Sequence, residues 1–224
     1  SHQPVRILEG RCLEVLANHE EPDSRLPQKG VGRALSGWQQ AEEVVTVPYK
    51  GIIHFHTRMS VDARTSYAGI LRVAERHGLN FMIATDHGSI CGSAKLRALV
   101  KRRGLNIEIP LAAEYKTDKG DVIAAFVQEE VREHAFDELV TCVRAQGGLL
   151  LLPHPFVNHS NIDQLASKVD LIEVFSIRQT ALQDEGARRL AREHGKGVYY
   201  GSDAHSTRFL AKVIVEVPRK GDLR

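Results

Sequence analysis

From residue 44 onward the chain alternates between two hydrophobic periods. Short apolar runs at 51–56, 80–84, 107–113, 122–127, 148–152, 171–175 and 198–201 have the length and composition of strands. Between most of them the period becomes helical. Residues 66–77 place Ile70, Leu71, Val73 and Ala74 on one face and stop at Gly78; residues 93–103 place Leu96, Leu99 and Val100 together and stop at Gly104. The same holds for 133–146, with Phe136, Leu139, Val140 and Val143 before Gly147, and for 180–194 before Gly195. A last strand is expected at 212–217. Strands interleaved with helices predict a parallel α/β fold, and the short, continuously apolar strands suit a sheet covered on both faces.

Residues 1–48 follow another pattern. The stretch 5–16 suits one strand or a short helix, and 17–40 is a polar loop without a sustained period. The expected division is therefore an N-terminal extension, 1–48, and an α/β domain, 49–224. Lys29-Gly-Val-Gly-Arg33 lacks the following Lys-Ser/Thr of a phosphate-binding loop. The opening Ser1-His2 reads as a tag remnant, so His2 is left out of any site.

Composition narrows the function classes. The chain of 224 residues is 42% hydrophobic and 26% charged, enough for one large core. A net charge of +2 excludes a strongly basic nucleic-acid binder, so any attraction for phosphate has to be local. Cys12, Cys91 and Cys142 are isolated, which suits a reducing cytoplasm and argues against a disulfide framework. No signal-peptide pattern or membrane-spanning run is visible, so a cytoplasmic protein without membrane partners is expected.

The candidate chemistry lies where the strands end. His54-Phe-His56 closes the 51–56 run, Asp86-His87 follows 80–84, and Glu114 follows 107–113. His154 lies between two prolines after 148–152, and Asp203-Ala-His205 follows 198–201. Alternation along a strand puts residues i and i+2 on one face, so His54 and His56 can share an ion. Imidazoles mixed with carboxylates favour zinc, manganese or iron over magnesium or calcium. Ligands at the ends of at least five strands favour a barrel, whose carboxyl ends converge, over an open sheet with one switch point.

In this order and spacing the motifs resemble those of the PHP (polymerase and histidinol phosphatase) family, over about residues 51–217. The resemblance implies a distorted (β/α)7 TIM-like barrel, a metal-dependent phosphoesterase activity, and two or three divalent ions (Zn, Mn or Fe). It implies one ion held by His54, His56, Glu114 and Asp203. A second would share Glu114 and use His154, and a third would use His87, His205 and Asp62. Two departures stand out: Ile52 replaces an Asp common before H-x-H, and the 121–126 run lacks the histidine that the family often carries on its fourth strand.

Clustered ions would activate water for attack on a phosphoester, with Asp203, His205 and Glu114 as catalytic residues and Asp86 orienting an imidazole. Arg58, Arg64, Arg178 and Arg208 lie close to the motifs and are candidate phosphate clamps. The expected partner is a small phosphorylated substrate or an oligonucleotide end. Two alternatives remain: an amidohydrolase cleaving C–N bonds, for which Lys116 is expected in a loop rather than ending a strand, and a non-catalytic PHP module in a larger assembly.

Overall fold

The computed structural model describes residues 5–6 and 49–217. The expectations for 1–4 and 7–48, His2 and Cys12 among them, and for 218–224 lie outside the described residues. In chain order the elements are β1 (Val5–Arg6), β2 (Tyr49–Phe55), α1 (Tyr67–His77), β3 (Phe81–Ala84), α2 (Cys91–Arg102), β4 (Ala112–Lys116) and β5 (Asp121–Ala125). They continue with α3 (Phe136–Ala145), β6 (Leu149–Leu152), α4 (Ile162–Lys168), β7 (Leu171–Phe175), α5 (Ala181–Glu193), β8 (Gly197–Tyr200), α6 (Thr207–Leu210) and β9 (Val213–Val217). The helices α4 and α6, of 7 and 4 residues, escaped sequence reading because neither is long enough to repeat a 3.6-residue period.

The fold is mixed α/β rather than wholly parallel. One sheet has the order β1-β9-β2-β3 and the other β4-β5-β6-β7-β8. β5 runs antiparallel to both β4 and β6, and β9 runs antiparallel to β2. The β4–β5 link, residues 117–120, is too short for the crossover that parallel strands require. The described strands form no closed ladder. The sheets meet instead at isolated bridges, Phe55 with Ala204 and His87 with Glu114. Backbone bonds reinforce both seams: His56 N to Ala204 O at 2.9 Å and Ser202 N to Ile53 O at 3.2 Å on one side, Gly88 N to Glu114 O at 2.8 Å on the other. Candidate ligands occupy both seams.

Local sequence explains the packing on either side. Ser66 caps α1 by accepting from Gly69 N at 3.1 Å, and Gly78 ends it in the left-handed region at φ 61°. That helix buries Ile70, Leu71 and Ala74 against Ile52, Phe55 and Met82 in the smaller core. Each large side chain so buried contributes roughly 1.5–3 kcal/mol. The larger core gathers Val122, Ile123, Leu150, Leu151, Leu152 and Ile172 with Leu139 and Val143 of α3, which is the two-sided burial expected of short apolar strands. Cys91 and Cys142 are free thiols. No helix among the described residues is long and apolar enough to cross a membrane.

Candidate metal centre

His54 does not follow simple strand alternation. The β2–β3 register shifts between Ile53 and Phe55, and His54 sits in the left-handed region at φ 60°. This bulge, not alternation, aims its ring, whose centroid lies 5.7 Å from that of His56. His154 (φ 26°) and Asp203 (φ 40°) are also left-handed. Three of the candidate ligands thus hold backbone conformations that cost energy and persist where tertiary structure over-determines them.

Glu114 stands at the middle of the cluster. Its Oε2 lies 3.2 Å from His87 Nδ1, 3.3 Å from His56 Nε2 and 3.8 Å from His54 Nε2, while Oε1 lies 3.2 Å from His154 Nε2. Asp203 Oδ1 lies 3.1 Å from His56 Nε2 and 3.4 Å from His54 Nε2. Asp62 Oδ2 is 3.3 Å from the Nε2 atoms of both His87 and His205. All eight side chains proposed from sequence as ligands therefore come together. Three groupings place their donor atoms within 4.8 Å of one another: His54, His56 and Asp203; His54, Glu114 and His154; His56, His87 and His205. His54 and His56 each belong to two of these groups, which the sequence did not indicate.

Five buried atoms of this cluster, His54 Nε2, His56 Nε2, His154 Nδ1, Asp203 Oδ1 and His205 Nε2, make no well-aligned hydrogen bond among the described residues, although carboxylate oxygens lie 3.1–3.4 Å from three of the nitrogens. Buried polar atoms are nearly always satisfied, so a local concentration of orphans calls for a ligand. The donor set, imidazole nitrogen with carboxylate oxygen, suits a divalent metal ion.

An outer layer of hydrogen bonds turns the imidazoles inward. His54 Nδ1 donates to Glu173 Oε1 at 2.9 Å, and His205 Nδ1 donates to the Asp203 carbonyl at 3.0 Å. His56 Nδ1 lies 3.2 Å from Ser60 Oγ, which itself donates to Asp86 Oδ1 at 2.8 Å. With the proton held on Nδ1, the Nε2 lone pair of each ring faces the cluster. Asp86 acts on His56 through Ser60. It also accepts from Thr57 N and Thr57 Oγ1, both at 2.8 Å, and so clamps the turn after β2. Glu173 and Ser60 were missed from sequence. A lone carboxylate within the apolar run Leu171-Ile-Glu-Val-Phe175 was the available signal for the first; nothing local marked the second.

The electrostatics follow from this packing. Burial alone would raise the Glu114 carboxyl, yet His154 and the other imidazoles hold it well below the usual carboxylate range. Burial opposes ionisation of Asp203 too, but His54 and His56 keep it low. Burial would lower His54, whereas Glu173 and Asp203 raise it well above the ordinary histidine value. His87 is pushed up to about 9, chiefly by its hydrogen bond to Glu114. In the absence of an ion these contacts favour protonated imidazoles, and a cation binding there would have to displace those protons.

Other expected residues are placed less evenly. Arg178 Nη1 lies 3.0 Å from Asp203 Oδ2, directly on the cluster. Arg58 packs its guanidinium 5.8 Å from the Tyr67 ring centroid, and Arg208 stands 5.7 Å from that of Phe209. Arg64 is exposed on the loop whose backbone bonds to His205. Lys116 is the last residue of β4, not a loop residue, and is exposed. In the 121–126 run, which has no histidine, Ile123 pairs with Glu114 across β4 and β5 and is fully buried. Paired residues share a face, so an apolar side chain lies beside the carboxylate there. His159 braces a loop, its ring nitrogens lying 2.7 Å from Val157 O and 3.0 Å from Asp121 O.

No family model matches the chain. The uncharacterized protein MJ1587 of Methanocaldococcus jannaschii is 29% identical over 118 residues, 52% of this chain and 68% of that protein. Among solved structures, a Bacteroides vulgatus two-domain protein containing a predicted PHP-like metal-dependent phosphoesterase matches with a TM-score of 0.60 at 17% identity. That match covers 72% of this chain and 53% of the other, so this chain spans about half its length. An amidohydrolase from Chromobacterium violaceum, with bound sulfate and no metal, matches with a TM-score of 0.61 at 15% identity, covering 75% of this chain and 92% of the other. At these identities the likeness is one of fold, and the neighbours that share it include a predicted PHP-like phosphoesterase.

Proposed function

We propose that the chain is a metal-dependent hydrolase of phosphoesters, acting on a nucleotide, an oligonucleotide end or a small phosphomonoester. The observation that carries this reading is Glu114, one buried carboxylate within 3.8 Å of four imidazoles, in a cluster where His54 Nε2, His56 Nε2 and Asp203 Oδ1 make no well-aligned hydrogen bond. Its two oxygens face different imidazoles, as a residue shared between ions must. The fold likeness to PHP-like phosphoesterases supports the same reading. We further propose that two or three ions (Zn, Mn or Fe) occupy the three groupings, that residues 49–224 form the functional domain with 1–48 as an extension, and that the two sheets are halves of an incompletely closed barrel. We also propose a cytoplasmic setting, which the isolated positions of the cysteines along the sequence suit.

Bound in such a set, divalent ions supply Lewis acidity and lower the pKa of water to near neutrality. The residues supply the rest. Arg178, half exposed and anchored on Asp203, binds phosphate oxygens through its free donors. Arg58, Arg64 and Arg208 on the flanking loops add positive charge that draws the substrate in. Asp203 would accept the proton from the attacking water, Glu114 holds the imidazoles in register, and His205, with its proton held on Nδ1 by the Asp203 carbonyl, keeps its Nε2 lone pair turned to the cluster. The apolar Ile123 beside Glu114 adds no donor to the His154 group.

Elemental analysis followed by phosphomonoester and phosphodiester assays, with and without Mn²⁺, tests the reading. Bound metal and manganese-stimulated phosphate release are expected. A metallated protein inert on every phosphoester but active on amide substrates would move the chain to the amidohydrolase reading, which the likeness to the Chromobacterium violaceum protein favours. A metallated protein inert on both would leave the non-catalytic module.

A further inference from the structure

Glu173 is fully buried in the middle of β7 and accepts from two candidate ligand residues at once. Oε1 lies 2.9 Å from His54 Nδ1, and Oε2 accepts from the backbone N of His154 at 2.7 Å. These residues come from opposite sheets, β2 in one and the end of β6 in the other, and both have left-handed backbones. A neighbouring residue leaves room for the same contact by its lack of a side chain: a Cβ on Gly201 would stand 1.6 Å from Glu173 Oε1 and 3.1 Å from His54 Cβ. The β7–β8 register also shifts between Glu173 and Phe175.

We propose that Glu173 is the positioning residue of the buried half of the centre, setting the His54 tautomer and the His154 turn together; this rests on the metal-binding reading above. The chemistry requires a carboxylate. Both partners are donors, the amide by nature and Nδ1 because Nε2 must keep its lone pair for an ion. Only a carboxylate accepts on both oxygens and donates on neither. A glutamine of the same shape would set its NH₂ against one of the two. Facing His54, it would move the ring proton to Nε2 and block ligation; facing His154, it would press donor on donor and loosen the turn. Outer partners of metal-bound histidines commonly carry 10- to 100-fold of metal affinity.

The test is cobalt binding to the full chain, read by visible absorption and elemental analysis, with melting of the ion-free protein as control. Glu173→Gln should weaken the buried ions roughly 10- to 100-fold and change the cobalt spectrum, while the His87–His205 group still binds. Gly201→Ala, which displaces the carboxylate without removing it, should change the spectrum in the same way. Cobalt affinity and spectrum equal to wild type in either folded variant would overturn the proposal, as would an affinity loss at both halves alike. If neither variant folds, ¹⁵N shifts of zinc-loaded wild type decide: the His54 proton on Nδ1 is expected, and coordination through Nδ1 overturns the role. Wild-type protein that binds no cobalt or zinc would instead sink the metal reading itself, a distinguishable failure.

Discussion

The two halves of the centre use the same side-chain types in opposite surroundings. His54, His56, Asp203 and Glu114 have side chains 0–3% exposed, whereas those of His87, His205 and Asp62 are 45%, 23% and 51% exposed. In the buried half the Nδ1 atoms are held from behind by Glu173 and by Ser60 with Asp86. In the exposed half, His87 spends both nitrogens on the carboxylates of Glu114 and Asp62. Burial removes water as a competitor and fixes geometry, but it leaves donors unsatisfied without an ion. Exposure lets water satisfy what the ion does not. The buried half should therefore bind its ions tightly and lend them rigidity, and the outer half should exchange its ion readily.

Removing His54 and His56 together should separate the halves most sharply. The double alanine variant should lose the buried ions by elemental analysis and drop in activity by on the order of a thousandfold or more. Unchanged metal content and activity would show that the centre lies elsewhere. Next in size is Asp86→Ala, which strands buried donors at Thr57 and Ser60 and should destabilise the fold by about 3 kcal/mol in a denaturant titration. A variant as stable as wild type would mean the turn after β2 holds without its clamp. Asp62→Asn should weaken only the outer ion, by roughly tenfold in a cobalt titration, since an amide oxygen remains but the charge is gone. Equal weakening of the buried ions would erase the distinction between the halves.

The smallest effect is that of pH on the ion-free protein. His87 is raised from 6.5 to about 9 on folding, so above pH 6.5 the native state binds more protons than the unfolded chain. Its stabilisation is present in full below pH 6.5 and is lost as pH rises through about 9. Solvent screening at this half-exposed ring keeps the change small, a fall of a few degrees in melting temperature at most. His87→Asn should flatten that slope; a melting temperature that rises over the same range would reverse the assigned sign.

Much of this was legible beforehand, for physical reasons that differ by region. The helices α1, α2, α3 and α5 were visible because each carries a repeated apolar face and a glycine stop. Six of the eight proposed ligands could be found because apolar runs break into His, Asp or Glu, although Glu114, expected just past a strand, lies inside β4; His205 came from the D-x-H pattern and Asp62 from the family resemblance. The antiparallel course of β5 and β9 could not be read, because period 2 is the same in either direction. Lys116 was misplaced for a related reason: a polar strand end and a loop look alike in one dimension.

Residue type and period along the chain decided which side chains could ligate, which segments would bury, and that carboxylates and imidazoles would gather at strand ends. Only the tertiary structure decided how they meet. The bulge at His54, the seam where two sheets touch at Glu114, and the hold of Glu173 on residues 119 and 19 positions away depend on distances between remote parts of the chain. Local propensity carries no record of such distances, because they are set by how two separately packed cores come to rest against each other.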